Sequence, residues 1–257
     1  MPQLIETSIK RALLEVQEFV LLSVAATRAT VTRPFYTRDL VEQLDAIGVG
    51  SLSVVMLTGL FTGAVLALQI GLTLDQFGAR GIVGRLVSST MVKELGPVLT
   101  ALMIAGRVGS GIAAEIGSMG VTDQLNALRA LGTDPVRKLV VPRVLAGILM
   151  VPVLTVVADF VGMLGGGLIA VWELQVGASV YWRSLIDGLL IEDVWMGLIK
   201  PLVLGFVIVA IGCHVGLRSE GGTQGVGRAT TRAVVAGSVA VLSVDFFVTK
   251  LLVYLLY

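Results

Sequence analysis

Cysteine and histidine are almost missing from this 257-residue chain, with Cys213 and His214 the single example of each. One cysteine excludes an intrachain disulfide, and one Cys/His pair cannot assemble a zinc site of the common four-ligand kinds. The pair is expected to be packed by lipid or by neighbouring helices. Charge is scarce as well, at 14% of residues, against roughly a quarter in an ordinary soluble domain. The net charge of +1 is not gathered into any basic face or tail, which argues against nucleic acid as a partner. No GxxxxGK[ST] loop is present, and the glycines of GGTQGVGR lack the preceding strand that a dinucleotide site requires. With a single histidine and no motif around it, no nucleophile–base triad can be recognised. The expectation is a non-catalytic chain with no metal or cofactor of its own.

What the chain does have is apolar length. Hydrophobic residues make up 55% of it, and crossing a hydrocarbon core of ~30 Å takes about 20 largely apolar residues in a helix. Five segments qualify, at roughly 44–72, 89–114, 139–171, 194–217 and 229–257, so the expected fold is an all-α integral membrane protein. The first and third are longer than one crossing and must tilt, bend or project into water, with Pro142 and Pro152 as natural bends. Residues 1–40 read as an interfacial helix and its connection, and 41–257 as the membrane domain. The start, MPQLIETSIKRALLEVQEF, lacks the basic beginning, apolar core and cleavage site of a secretory signal. It instead places Ile5, Ile9, Leu13, Val16 and Val20 on one helical face, with Glu6, Lys10, Arg11, Glu15 and Glu18 largely elsewhere. Such a helix is expected to lie along a membrane surface.

Basic residues set the expected orientation, because Lys and Arg collect in short cytoplasmic connections. Lys10, Arg11, Arg28, Arg33 and Arg38 precede the first span. Arg129, Arg137, Lys138 and Arg143 lie between the second and third, and Arg218, Arg228 and Arg232 around the fourth-to-fifth connection. These sides are expected in the cytoplasm, which puts the N-terminus inside and the C-terminus outside. The connection from Trp172 to Asp193 carries Arg183 against Glu173, Asp187, Glu192 and Asp193, so it should face outward. Arg80 and Arg85 fall on that same side against the rule, as if held by a short re-entrant or interfacial helix. Trp172, Trp182, Trp195 and Tyr181 crowd the outer connection, as expected of rings anchored at the headgroup boundary.

Small residues are dense in the spans, among them Gly59, Gly63, Gly106, Gly109, Ser110, Ala113 and the run Gly162, Gly165, Gly166, Gly167. They predict close helix–helix packing. Ionisable groups inside spans are costly and usually face partners or water-filled cavities. Lys93, Glu94, Lys200 and Asp245 all fall in the outer half or near the midplane, and are expected to form an outward polar cluster. That cluster could contact a headgroup and control opening, or serve as an ion-pair network for assembly. Arg107 also lies in a span, as a conformational or packing residue. Asp159 stands out from its apolar surroundings and would need a partner, such as an arginine on a neighbouring helix. Between the second and third spans, Val121, Leu125, Leu128 and Leu131 have helical spacing, with Gly132 as the stop and Asp134–Pro135 opening the next helix. This short amphipathic helix could be a surface linker or a docking element for a cytoplasmic partner.

The string ELGPVLTALMIAGRVGSGIAAEIGSM, continuing through DQLNALRALGTDPVRKLVVPR, and the later RATTRAVVAGSVAVLSVDFF closely resemble the MlaE/YrbE permease family of MCE-associated ABC transporters. The resemblance covers most of the chain from about Leu44 onward. It implies a homodimeric permease enclosing a lipid cavity and two cytoplasmic ATPase subunits that bind ATP and Mg. It also implies a periplasmic hexamer of MCE-domain protein and, in some systems, a STAS-domain subunit. The implied location is the bacterial inner membrane, and the implied substrate is a phospholipid or similar amphiphile. The segment of about 119–131 resembles the family's coupling helix, with Met119, Val121, Asp123, Gln124, Leu125, Leu128 and Arg129 as ATPase-coupling candidates. Lys93, Glu94, Lys200 and Asp245 match charged positions that the family associates with its lipid cavity. An ion-coupled secondary transporter and a membrane scaffold of an envelope complex are the competing readings.

Overall fold

The computed structural model describes the backbone of residues 2–30 and 36–256, and of these the side chains of residues 2–9, 11 and 12 lie outside the described set. Among the described residues the regular structure is entirely helical. The helices are α1 (Pro2–Ala29), α2 (Thr37–Asp75), α3 (Val83–Thr90), α4 (Gly96–Ile104), α5 (Ser110–Val121), α6 (Gln124–Ala130), α7 (Val141–Trp172), α8 (Ala178–Gly188), α9 (Ile191–Leu217) and α10 (Gly222–Leu256). Wide π turns at Met91–Leu95, Ala105–Gly109 and Val136–Val140 join α3 to α4, α4 to α5, and lead into α7. Five continuous stretches are long and apolar enough to cross a bilayer: Thr37–Asp75, Arg80–Val121, Val136–Trp172, Ile191–Leu217 and Gly222–Leu256. They match the five expected spans in order and overrun them at most ends. The 39 residues of α2 reach about 58 Å at 1.5 Å per residue, nearly twice a ~30 Å core, so this helix must tilt and project.

In lipid an apolar side chain gains nothing by leaving the tails, so close backbone packing decides which helices associate. α7 occupies the centre, with α2 along one side and α9 along the other, and α10 lies against α9 and α5. Glycines permit these approaches. A side chain at Gly59 or Gly63 would run into the backbone of Ala158 or Gly162 on α7. On the other side, a Cβ at Gly147 would stand 3.1 Å from the Gly205 carbonyl oxygen, and one at Gly212 would stand 2.9 Å from that of Gly109. The expected small-residue packing is therefore realised along most of its length. Burial follows the same order: half of the central apolar window is inside the protein for the second, third and fourth spans, but only 11% for α10.

The two ends of the bundle differ. At one, the basic residues Arg137, Lys138, Arg143 and Arg218 gather; at the other, α3 and α8 pack together as a cap. The sequence reading left the Trp172–Asp193 connection without a helix, whereas α8 occupies its middle. Tyr181, expected at a headgroup boundary, is instead fully buried and donates its hydroxyl to the Met163 carbonyl at 2.9 Å. Gly166 and Gly167 make room for the ring. The three tryptophans do remain exposed. Arg80 is held at this end by Asp75 (2.6 Å) and by the Leu174 carbonyl (3.1 Å). The Arg85 amide donates to Ser184 Oγ at 3.0 Å, tying α3 to α8.

α1 meets the basic end. Phe19 stacks edge-on to His214 with ring centres 5.9 Å apart, and Glu18 pairs with Arg218 at the end of α9. Leu13, Val16 and Val20 stay exposed, so the apolar face points away from the bundle, as an interfacial helix requires. The side chains of Ile5, Glu6, Ile9 and Arg11, and all of Arg33, lie outside the described residues. Cys213, next to His214, is wholly buried among helices.

The α2–α7 contact gives a direct test. Gly63→Leu should destabilise the purified protein by at least the 1–3 kcal/mol typical of an overpacked interior. The same change at Gly78, whose surroundings are open but whose φ is +65°, should show only backbone strain of order 1 kcal/mol. Denaturant titration in mixed micelles reads both.

Candidate functional site

Pro97 has no amide hydrogen, so the helical turn before it is short of one donor. The chain meets this with the π turn at Met91–Leu95, in which the Gly96 amide reaches back to the Met91 carbonyl. A side chain completes the repair: Lys200 Nζ donates to the Lys93 carbonyl at 2.8 Å. Lys200 comes from α9, where it precedes Pro201, and it is entirely buried. An ammonium group carries three donors and no acceptor. The second is taken by Glu94 Oε2 at 2.7 Å, and the third faces Asp245 Oδ1 on α10 at 3.5 Å. That last leg is ionic only, since Asp245 Oδ1 makes no hydrogen bond among the described residues.

Lys93, the neighbour of Glu94, turns the other way and pairs with Asp193 at 2.7 Å; the Asp193 side chain is 1% exposed. Ser89 Oγ donates to the second oxygen of Asp193 at 3.4 Å. Glu94, Lys200 and Asp245 thus meet directly, and Lys93 joins them through its carbonyl while its ammonium turns away. They are joined by Asp193, which sequence reasoning had left in the outer connection. Its position in the first turn of α9 was the available signal, because carboxylates favour helix N-termini. Together two ammonium groups face three carboxylates, and the Glu94 side chain, 42% exposed, forms the open edge.

Asp159 does not find the arginine expected of it. Its carboxyl group lies over Gly96, where any side chain would collide with it, and Oδ1 has no hydrogen-bond partner among the described residues. Nearby, Gly59, Gly96, Thr100 and Ala158 line a cavity of about 10 Å³, on the scale of a single water. Arg107 projects from the π turn at Ala105–Gly109 toward α2, where Nη1 donates to Ser51 Oγ at 2.7 Å and to the Ala46 carbonyl at 3.4 Å.

The segment expected to be one helix over 119–131 is divided. Met119 and Val121 belong to the last turn of α5, and α6 begins only at Gln124. Asp123 breaks the path with φ +57°, a left-handed conformation that a short polar side chain tolerates. Its carboxylate accepts a hydrogen bond from Asn126 Nδ2 at 3.0 Å, and Arg129 donates to the Asn126 side chain at 3.3 Å. Of the expected apolar face only Leu125 is buried; Leu128 is half-buried, and Val121 and Leu131 are exposed. Gln124 and Arg129 are exposed as well. Gly132, with φ +73°, ends the helix. Asp134 then accepts the Val136 amide at 2.9 Å and starts the next span, as its sequence foretold. Close by, Arg143 bridges to Glu115 at 2.6 Å and donates to the Leu139 carbonyl at 2.7 Å, joining α5 to α7.

These features define an all-helical, multi-pass membrane protein built around an intramembrane charge cluster. The chain belongs to the permease MlaE family, whose model matches residues 40–251. It is similar to a probable ABC transporter permease protein of Rickettsia conorii, with 43% identity over 236 residues covering 92% of this chain and 91% of the relative. A probable ABC transporter permease protein of Synechocystis is 42% identical over 215 residues, covering 84% and 82%. The intermembrane phospholipid transport system permease protein MlaE of Haemophilus influenzae is 37% identical over 214 residues, covering 83% and 82%. The protein is accordingly a permease of an ABC transporter.

Removing Lys200 tests the cluster as a unit. Lys200→Met leaves Glu94 and Asp245 without their cation and should cost about 3–5 kcal/mol, the usual penalty for breaking a buried pair. The double change Lys200→Met/Glu94→Gln should recover part of that loss. Unfolding midpoints of the purified variants check both, and an unchanged midpoint for Lys200→Met would show that the pairs do not hold the spans together.

Proposed function

We propose that this chain is the membrane subunit of an ATP-driven transporter that moves a phospholipid or related lipid between the bacterial inner membrane and a periplasmic assembly of MCE-domain protein. The observation that carries the reading is the charge cluster. Lys200 joins the second, fourth and fifth spans, while Glu94 keeps one edge open. Such a group can hold the spans closed through its ion pairs and, when they part, offer the same charges to a lipid headgroup. Its relatives support the substrate class, since the Haemophilus protein is named for intermembrane phospholipid transport.

Two copies are required on this reading. The cavity beside the cluster within one copy is water-sized, and the second copy supplies the rest of the lipid space. The basic end faces the cytoplasm, the α3–α8 cap and the C-terminus face the periplasm, and α1 lies on the inner surface. ATP and Mg bind to a separate pair of ABC ATPase subunits. Their motion enters through α6, whose exposed Gln124 and Arg129 and half-buried Leu128 are free to seat in a partner while Leu125 anchors the helix to α5. The Arg143–Glu115 bridge passes that motion on to α7.

Two experiments test this. The permease reconstituted with its ATPase and MCE partners should move labelled phospholipid with hydrolysable ATP; equal movement with a non-hydrolysable analogue would overturn the ATP-driven reading. Leu128→Asp should weaken co-purification of the ATPase by about tenfold, roughly 1.4 kcal/mol of affinity, without changing how the permease itself elutes on size exclusion.

A further inference from the structure

Arg107 is an arginine within a membrane span. Among the described residues no acidic group lies within ion-pairing distance of it, and its acceptors are neutral, Ser51 Oγ and the Ala46 carbonyl, both on Nη1. A guanidinium has five N–H donors in a planar fork, and among the described residues only Nη1 meets an acceptor. The side chain is exposed rather than enclosed. Its position is defined nonetheless: the guanidinium nitrogens lie against Gly50 of α2, where a Cβ would stand 2.7 Å from Nη2 and 3.0 Å from Nη1. The π turn that carries Arg107 places it between Glu94, at the charge cluster, and Glu115, at the basic end. The cluster is about 20 Å away along the span, at 1.5 Å per residue. Beside Arg107 the protein surface is open. Added side chains at Gly106 and Gly111 would meet nothing within 4 Å. One turn further, Ser110, Gly111 and Ala114 face Thr230, Thr231 and Val234 of α10 across a shallow, open groove. Beyond Thr231 the same surface of α10 carries Arg228 and Arg232 toward the basic end.

A charged group in hydrocarbon persists when it faces a partner, and an arginine fork fits the paired oxygens of a phosphate. From this geometry we infer that Arg107 is a phosphate-binding position in the basic half of the membrane. It takes the phosphate of a lipid headgroup lying against the exposed face of the second span. The inference rests on the proposed lipid-transport reading and adds to it a second station for the headgroup, separate from the Lys200 cluster.

The test uses the full-length permease purified in detergent, loaded with phosphatidylethanolamine or with diacylglycerol, which has the same tails and no phosphate. Bound lipid per protein is measured by mass spectrometry, and oligomeric state by light scattering. Arg107→Gln should lower phosphatidylethanolamine retention about tenfold while leaving diacylglycerol retention and oligomeric state unchanged, and Arg107→Lys should restore part of it. Excess inorganic phosphate distinguishes the two sources of the anion: lipid retained against it assigns the position to a headgroup, and lipid displaced by it assigns the position to free phosphate. Equal retention by Arg107→Gln and wild type would overturn the inference. So would collapse of the oligomer in Arg107→Gln, which would make Arg107 an ion-pair partner between copies. If the wild-type protein holds no phosphatidylethanolamine at all, the lipid-transport reading itself fails, an outcome distinct from the other two.

Discussion

A protonated amine sealed from water inside a membrane is costly unless its charge and all its N–H groups are answered. Lys200 is in that position, and the protein around it is arranged to answer it. Its two hydrogen-bond acceptors, the Lys93 carbonyl and Glu94, are on the second span, and the Asp245 carboxylate on the last adds an ionic contact. Because Lys200 itself is on α9, the requirement fixes three of the five spans relative to one another. The Lys93–Asp193 pair repeats the connection one layer closer to the α3–α8 cap. Apolar packing alone would not select this register, since slipping one helix past another in lipid trades one apolar contact for another. Charge pairing does select it, because any slip strands an ion.

Backbone geometry makes the pairing possible. A regular α-helix through Lys93 and Glu94 would leave the donor gap at Pro97 unfilled; the π turn widens the helix at that point and leaves the Lys93 carbonyl to Lys200. The other two π turns also carry cations, Arg107 in one and Arg137 with Lys138 in the next. Lys138 pairs with Asp39 and lies 4.5 Å from the centre of the Tyr36 ring, so the third turn joins the start of α2 to the start of α7. Single-turn π segments are frequent at functional sites, and here each one aims a long cationic side chain across to another helix. Glycine supplies the complementary condition. Where Gly205 faces Gly147 and Gly212 faces Gly109, the axes come close enough for short polar reaches such as Lys200 to Lys93 to span them.

The spans and the four clustered charges were legible in the sequence because both are one-dimensional signals: apolar length sets a crossing, and a charge within it demands a partner. What was hidden depends on where a helix is interrupted or widened. The insertion at 91–95 has no compositional mark beyond Gly96–Pro97, and it decides that Lys93 and Glu94 point to different partners. Asp193 was assigned to a loop because hydropathy falls there, although the first turn of α9 carries it inward. Tyr181 was read as a surface ring since tyrosine suits an interface, whereas Gly166 and Gly167 on a distant helix admit it to the interior. The break at Asp123 divides what periodicity alone makes continuous, because helical spacing survives a left-handed residue that rotates one segment against the next. Asp159 is the remaining exception. Its demand for a partner was plain, and among the described residues its Oδ1 meets no hydrogen-bond donor.

The cluster is not equally strong in all directions, and the asymmetry identifies the part of the fold best suited to move. Lys200 is bound to the second span by two contacts of hydrogen-bond length and to α10 by one ionic contact at 3.5 Å. α10 is also the least buried span, and Val235, Val239, Leu242 and Phe246 on it face outward. Separating α10 from the body therefore breaks the longest of the three legs, while Lys200 keeps Glu94 and its carbonyl. Under the proposed function this is the economical way to open. The second, third and fourth spans stay a rigid core held by glycine contacts, and α10 exchanges one carboxylate contact for a headgroup in the space it vacates. A lipid that brings its own anion to Lys200 then replaces the charge that Asp245 withdraws, so the open state leaves no ion stranded.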